Sequence, residues 1–149
     1  MGKIILYAII ELMIILVGVV LMKKVEVVAA VFKDQEGRYY CARRKDEGPL
    51  AVKWEFPGGK IEAGETHQEA LKREIQEELN TDINVNDFIM TVNHQYEHFH
   101  LTMHAYHATI LNGSLTQNEH TGAKWLNKDQ LDDLDWAEAD LPIVDVLKK

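Results

Sequence analysis

One cysteine, Cys41, is the whole thiol content of this 149-residue chain, so no internal disulfide can form and the composition fits a reducing, cytoplasmic setting. No internal repeat or low-complexity tract interrupts it. Basic residues are also in short supply: 16 Lys and Arg stand against 24 Asp and Glu, a formal charge of −8 that would repel a polyphosphate backbone. A nucleic-acid polymer is therefore not the expected partner, whereas a small anionic substrate stays open because a divalent metal can reverse the local field. At 46% apolar and 27% charged residues the chain supports one core and one domain.

The first 21 residues differ from the rest. From Ile4 to Leu21 the run IILYAIIELMIILVGVVL is broken only by Glu11 and is flanked by Lys3, Lys23 and Lys24. Its 18 residues are just enough for a membrane span, although an ionised carboxyl near the middle would cost a few kcal/mol. No small-x-small cleavage site follows, and cutting near Ala29 would destroy a strand, which argues against a removable signal peptide. Two readings stand: a membrane anchor with Lys23 and Lys24 on the cytoplasmic side, or an extension outside a natural domain that starts at Met22.

Along the remainder, VEVVAAVF from Val25 to Phe32 is β-branched and apolar, and after Lys33 to Gly37 a second run resumes at Arg38, a hairpin signal. Lys45 to Lys53 reads as a loop, then a short Trp54-Glu55-Phe56 strand and a Pro57-Gly58-Gly59 loop. Thr66 and Glu69 form a capping box ahead of a helix whose apolar stripe is Leu71, Ile75 and Leu79. Ile83 to Leu111 is strand-like, a last strand covers Ala123 to Leu126, and Leu141 to Leu147 starts a closing helix. Helices and hairpins mix without regular βαβ alternation, so the expected class is α+β, an α/β/α sandwich with a mixed sheet.

The chemistry is concentrated between Gly59 and Glu78, GKIEAGETHQEALKREIQEE. On a helix Glu74, Glu77 and Glu78 stand at i, i+3 and i+4 and share one face. Each like-charged pair costs a few tenths of a kcal/mol on an exposed helix, so stability alone does not favour the arrangement. Hard oxygen ligands at that density suit Mg²⁺ or Mn²⁺, which leave part of their shell to water and substrate phosphates. A solvated acidic face partnered by Lys72 and Arg73 is the plain alternative for an isolated REIQEE. The glycine-rich loop of Pro57, Gly58, Gly59 and Gly64 argues against it, because it lets backbone approach phosphate or metal closely.

Gly59, five residues, Glu65, seven residues, Arg73-Glu74-Ile75, one more and Glu77-Glu78 resemble the box of the Nudix hydrolase superfamily. One departure lies at its end, where Asn80 and Thr81 stand in place of the usual Gly and aliphatic residue; Asn is the next-best residue for a left-handed C-cap, and Ile83 is placed to supply the apolar contact. The resemblance extends from about Met22 to Lys149. Trp54 to Glu62 is similar to MutT-type members, while VEVVAA, His104-Ala105-Tyr106-His107 and Ala139-Asp140-Leu141-Pro142 are closer to the CTP pyrophosphohydrolase branch.

That resemblance implies a strand-loop-helix catalytic unit and magnesium-dependent attack at the β-phosphorus of a nucleoside triphosphate, giving monophosphate and pyrophosphate. It implies that Glu74, Glu77 and Glu78 hold metal with the Gly58 carbonyl, that Arg73 orients the carboxylates beside Glu65, and that Glu119 is the further acid from a later loop. Arg44 and Lys60 would contact phosphates. Glu77 is the expected indispensable ligand; Glu78 and Glu119 both stay open as the group that takes the proton of the attacking water. Asp140 can accept from an exocyclic amine such as cytosine N4, or act instead as the cap of the closing helix. Phe56 and Trp136 can stack on a base or fill the core.

Histidine is abundant at His94, His98, His100, His104, His107 and His120, but without a cysteine partner or a standard spacing it does not announce a zinc site. Three functions compete: hydrolysis of cytosine-type or modified nucleoside triphosphates, sanitation of 8-oxo-dGTP, and nucleotide sensing with little turnover. No motif recruits a different diphosphate such as ADP-ribose, and nothing sets the oligomeric state.

Overall fold

The computed structural model describes residues 2–20, 23–117 and 120–149. Helix α1 (Gly2–Val20) precedes strands β1 (Lys23–Phe32), β2 (Tyr39–Arg43), β3 (Trp54–Glu55) and β4 (Gly58–Lys60). Helix α2 (His67–Leu79) follows, then β5 (Asp82–Gln95), β6 (Phe99–Asn112), β7 (Gly122–Leu126), two short 3₁₀ turns and helix α3 (Leu141–Leu147). The strands form a mixed sheet in the order β4-β1-β6-β5 and a second sheet in the order β3-β2-β7.

Strand β1 sits inside the first sheet, parallel to β6 and antiparallel to β4, and its alternation divides the core in two. Val28, Ala30 and Phe32 pack on one side with Ala70, Leu71, Ile75 and Leu79 of α2. Ala29 and Val31 face the other side, where Ile143, Val144 and Leu147 of α3 close the layer. The result is the expected α/β/α arrangement. Leu71, Ile75 and Leu79 are each 0% exposed, and burying each contributes roughly 1.5–3 kcal/mol.

The expected hairpin between β1 and β2 forms only as a turn. The Gly37 N–H donates to the Asp34 carbonyl at 3.1 Å, and past the Lys33–Tyr39 bridge the two strands enter different sheets. Both edges of β1 are taken by β4 and β6, so β2 has nowhere to pair with it. The Pro57-Gly58-Gly59 loop is likewise a strand for part of its length: Gly58 and Gly59 pair with Ala29 and Val28 as the start of β4. The long strand-like stretch after α2 is two strands, β5 and β6, with the Tyr96 N–H donating to the Phe99 carbonyl at their turn, 2.9 Å.

Helix α1 exposes large apolar side chains from Ile4 to Leu16. Among the described residues no helix is long and apolar enough to cross a membrane. Residues 21 and 22, where the apolar run ends and the separate domain was expected to begin, lie outside the described residues.

Candidate active site

The site grows from the loop that joins β4 to α2. Thr66 caps the helix: its hydroxyl accepts from the Glu69 N–H at 3.1 Å, and the Glu69 carboxylate accepts in return from the Thr66 N–H at 2.9 Å. At the other end Asn80 adopts φ 48° and ψ 45°, the left-handed conformation that a C-cap requires, and its N–H donates to the Gln76 carbonyl. Ile83, only 3% exposed, joins Leu79 in the core just beyond. The departure from the usual box ending thus leaves the helix end intact.

Two glycines bring β4 close to its neighbours. A Cβ at Gly58 would overlap the Val28 carbonyl, and one at Gly59 would overlap the Glu74 carboxylate. The Glu74 carboxylate therefore lies against the bare backbone of Gly59, which is a physical reason for glycine at that position.

Arg73 ties the loop to the helix. Its guanidinium donates to both Glu65 oxygens at 2.7 and 2.8 Å, to Glu74 Oε1 at 2.8 Å, to the Lys60 carbonyl at 2.9 Å and to Glu77 Oε2 at 3.3 Å. Hydrogen bonds from Arg73, with a backbone N–H from Glu62, hold the Glu65 carboxyl down at about 2. The same carboxylates, Glu65 first, push the Arg73 guanidinium upward. Arg73 is thus a fixed positive strut within reach of Glu65, Glu74 and Glu77.

Glu74, Glu77 and Glu78 line a polar recess of about 320 Å³ together with Arg44, Glu55 and His120. The recess adjoins a larger cleft of about 770 Å³, whose walls share Arg44, Glu55 and the three glutamates and add Gly58, Lys60, Phe56 and Asp140. Arg44 spans both cavities and donates to Glu55 at 3.0 and 3.3 Å. Lys60 is exposed on the cleft wall. Glu119 lies outside the described residues.

Asp140 does not cap α3 with its side chain. Its Oδ1 reaches back across the fold and accepts from the Phe56 N–H at 2.9 Å. Burial raises its carboxyl well above the ordinary carboxylate range; the negative charge of Glu55 pushes the same way, while the Phe56 N–H and Arg44 oppose both. Phe56 and Trp136 stack on each other with centroids 4.8 Å apart, and both are core residues, although Phe56 also borders the cleft.

Sequence reasoning named His120 only among the abundant histidines and gave Glu55 and Tyr96 no part in a site. His120, with a side chain only 4% exposed, sets Nε2 at 3.1 Å from Glu55, and Tyr96 stacks on Phe99 beside the cleft while its hydroxyl accepts from the Ala139 N–H. Each depends on a contact between distant segments, for which the local pattern carries no signal.

The donor set suits a hard divalent cation: oxygen ligands on consecutive turns of one helix, a glycine cradle for one of them and a polar recess in front. The NUDIX domain family matches residues 27–146. The chain belongs to the Nudix family. Among its relatives is the CTP pyrophosphohydrolase of Escherichia coli strain K12, 32% identical over 83% of this chain and 91% of the relative. An 8-oxo-dGTP diphosphatase of Proteus vulgaris is 34% identical over 65% of this chain and 87% of its own length. The solved structure of MutT from methicillin-resistant Staphylococcus aureus 252, a Nudix hydrolase, superposes with a TM-score of 0.70 at 37% identity, covering 86% of this chain and 98% of that one. This Nudix protein is accordingly a hydrolase of phosphorus anhydrides, of the MutT type.

Proposed function

We propose that this Nudix hydrolase acts on nucleoside or deoxynucleoside triphosphates, cytosine-type or modified, and releases monophosphate and pyrophosphate. The observation that carries the reading is the continuity of the two cavities: the recess lined by Glu74, Glu77 and Glu78 shares those residues, Arg44 and Glu55 with a cleft that Phe56 and Asp140 also line. A triphosphate chain in the first and a base in the second matches the polarity of each. The E. coli CTP pyrophosphohydrolase among the relatives supports a cytosine-type substrate.

Glu74, Glu77 and Glu78 would hold Mg²⁺, or Mn²⁺ in its place, with the Gly58 carbonyl and Glu119 as further ligands. When bound, the cation supplies charge neutralisation at phosphate oxygens and makes water more acidic. Arg73 keeps Glu74 and Glu77 oriented, while Arg44 and Lys60 bind the phosphates. Water adds at the β-phosphorus as the bond to the α-phosphate oxygen breaks, with Glu78 or Glu119 taking the proton. Asp140 reads the exocyclic amine of the base, and Phe56 packs beside it. Residues 22–149 form the catalytic domain, with residues 1–21 an addition to it; the family match beginning at residue 27 and the exposed apolar surface of α1 support that division. A cytoplasmic setting fits the single buried thiol, Cys41.

The 8-oxo-dGTP diphosphatase of Proteus vulgaris favours a second reading, sanitation of oxidised purine nucleotides. Comparing kcat/KM for CTP, dCTP, 5-methyl-dCTP, dGTP, 8-oxo-dGTP and ATP in Mg²⁺, with Glu77→Gln as blank, separates the two. A tenfold lead for cytosine nucleotides, about 1.4 kcal/mol of differential transition-state binding, supports the first. A lead for 8-oxo-dGTP supports the second, and turnover no greater than the blank rejects both.

A further inference from the structure

The apolar stripe of α2, read backwards in steps of four from Leu79 through Ile75 and Leu71, arrives at a histidine. His67 therefore points toward the sheet, as the stripe does, but at the first turn, where the core gives way to solvent. Two residues of the sheet meet it there. Glu26 on β1 and His104 on β6 lie on neighbouring strands two residues apart in the parallel register, Glu26 opposite Thr102 and His104 opposite Val28, and each shares its sheet face with the residues that pack against α2. The rings of His67 and His104 stack with centroids 4.0 Å apart and planes 20° from parallel, and His104 Nε2 lies 2.8 Å from Glu26 Oε1.

One ligand atom from each of Glu26, His67 and His104 lies within 4.8 Å of the others, and among the described residues no other such trio of His, Cys, Asp or Glu does so. The Nδ1 atom of each ring is held by a hydroxyl. His67 Nδ1 is 2.7 Å from the Tyr106 hydroxyl, and His104 Nδ1 is 2.8 Å from Thr91 Oγ1. With an ion bound, hydroxyl oxygens accepting from both Nδ1–H groups would leave Nε2 of each ring to ligate, and His104 Nε2 already faces Glu26. This is the outer-shell arrangement that orients histidine ligands of a metal.

We propose that Glu26, His67 and His104 form a binding site for a borderline divalent cation of the zinc type, separate from the carboxylate recess. Two imidazoles and one carboxylate match the preference of such ions and suit Mg²⁺ poorly. With three protein ligands the fourth position is left to water. The ion would cross-link β1, β6 and the first turn of α2, so its first consequence is stability of the helix start.

The test uses the full chain in millimolar Mg²⁺, which competes for the carboxylates, and titrates Zn²⁺ while recording the ¹H–¹⁵N spectrum of the histidine rings. The ring resonances of His67 and His104 should shift together, with those of His94, His98, His100, His107 and His120 unmoved. Zinc retained after dialysis should amount to one equivalent in the wild type and in Glu77→Gln. In Glu26→Gln and His104→Gln the dissociation constant should rise at least about tenfold. Zinc shifts confined to other histidines, or the same zinc affinity in the wild type and both ring-site variants, would overturn the proposal. The spectrum decides the matter even where a variant folds poorly.

Discussion

Helix α2 presents different chemistry at its two ends. Toward its C-terminus it carries Glu74, Glu77 and Glu78, hard oxygen donors beside a guanidinium and in front of an open polar recess. Its first turn carries His67, which meets a second imidazole and one carboxylate on the sheet, with neutral hydroxyls behind the rings. The acidic end stands on a glycine strand and draws its order from Arg73; the histidine end stands on two strands and draws its order from ring stacking and from the hydroxyls of Tyr106 and Thr91. A local sequence box suffices for the first because every part except the far wall comes from residues 58–78. The second has no motif because its three members come from positions 26, 67 and 104.

The largest contrast should come from Glu77→Gln set against His104→Gln. Losing a proposed metal carboxylate should lower kcat in Mg²⁺ by about a hundredfold or more, several kcal/mol of lost transition-state stabilisation. His104→Gln should leave kcat within about twofold, because its partners among the described residues, Glu26, Thr91 and His67, do not line the recess. Steady-state kinetics on both variants checks this, and a comparable loss in each would dissolve the distinction between the two ends.

A finer cut separates the two glycines of β4. Gly58→Ala meets the Val28 carbonyl, a backbone group that cannot move aside, and should cost on the order of 1–3 kcal/mol of stability. Gly59→Ala meets first the end of the Glu74 side chain, which can move, so the fold should survive while kcat falls about tenfold or more. Denaturant unfolding alongside kinetics reads both, and a stable, fully active Gly59→Ala would mean that the position of Glu74 does not matter.

Asp140→Asn tests the cleft wall beside Phe56. The folded-state pKa of Asp140 is raised, so its contribution to stability is fully present below the unfolded value of 3.8 and is lost as pH rises through the folded value. An amide keeps an oxygen for the Phe56 N–H and removes that pH-dependent loss. The variant should be at least as stable as the wild type at pH 8, and should lose several-fold in preference for cytosine nucleotides. Melting curves from pH 4 to pH 8 check the first part, and the substrate panel checks the second.

The opposite sign applies at Glu65. Its carboxyl is held down at about 2, so the stability it contributes is present above the unfolded value of 4.5 and is lost as pH falls through about 2. Arg73→Ala should let the Glu65 carboxyl rise toward 4.5, visible in an NMR titration. The smallest effect expected is that of Thr66→Ala, about 1 kcal/mol of stability from the lost cap, with activity nearly unchanged.

Where these effects were readable in advance follows from sequence separation. The cap at Thr66, the stripe of Leu71, Ile75 and Leu79, the left-handed end at Asn80 and the Arg73-centred box all arise within one turn-and-helix segment. Short-range geometry dictates them, and they stood out in the chain as written. Tertiary structure overrides the local hairpin signal in β1 and β2, since the second half of β1 buries both faces and the strand pairs with β4 and β6 on its two edges. From sequence Phe56 and Trp136 can serve base stacking or the core, and their mutual stack places both in the core, with Phe56 also at the border of the cleft.

By itself, then, the amino-acid sequence determined the helix that carries the carboxylates, its two caps, and the α+β character of the chain, because propensity, periodicity and capping act over a few residues. Only the folded chain decided that Asp140 would bond to Phe56 across 84 residues, that Glu55 would meet His120 across 65, and that Glu26 and His104 would close on His67. Those contacts depend on which strands pair and in which register, and that is decided by the burial of all the layers together rather than by any one stretch of chain.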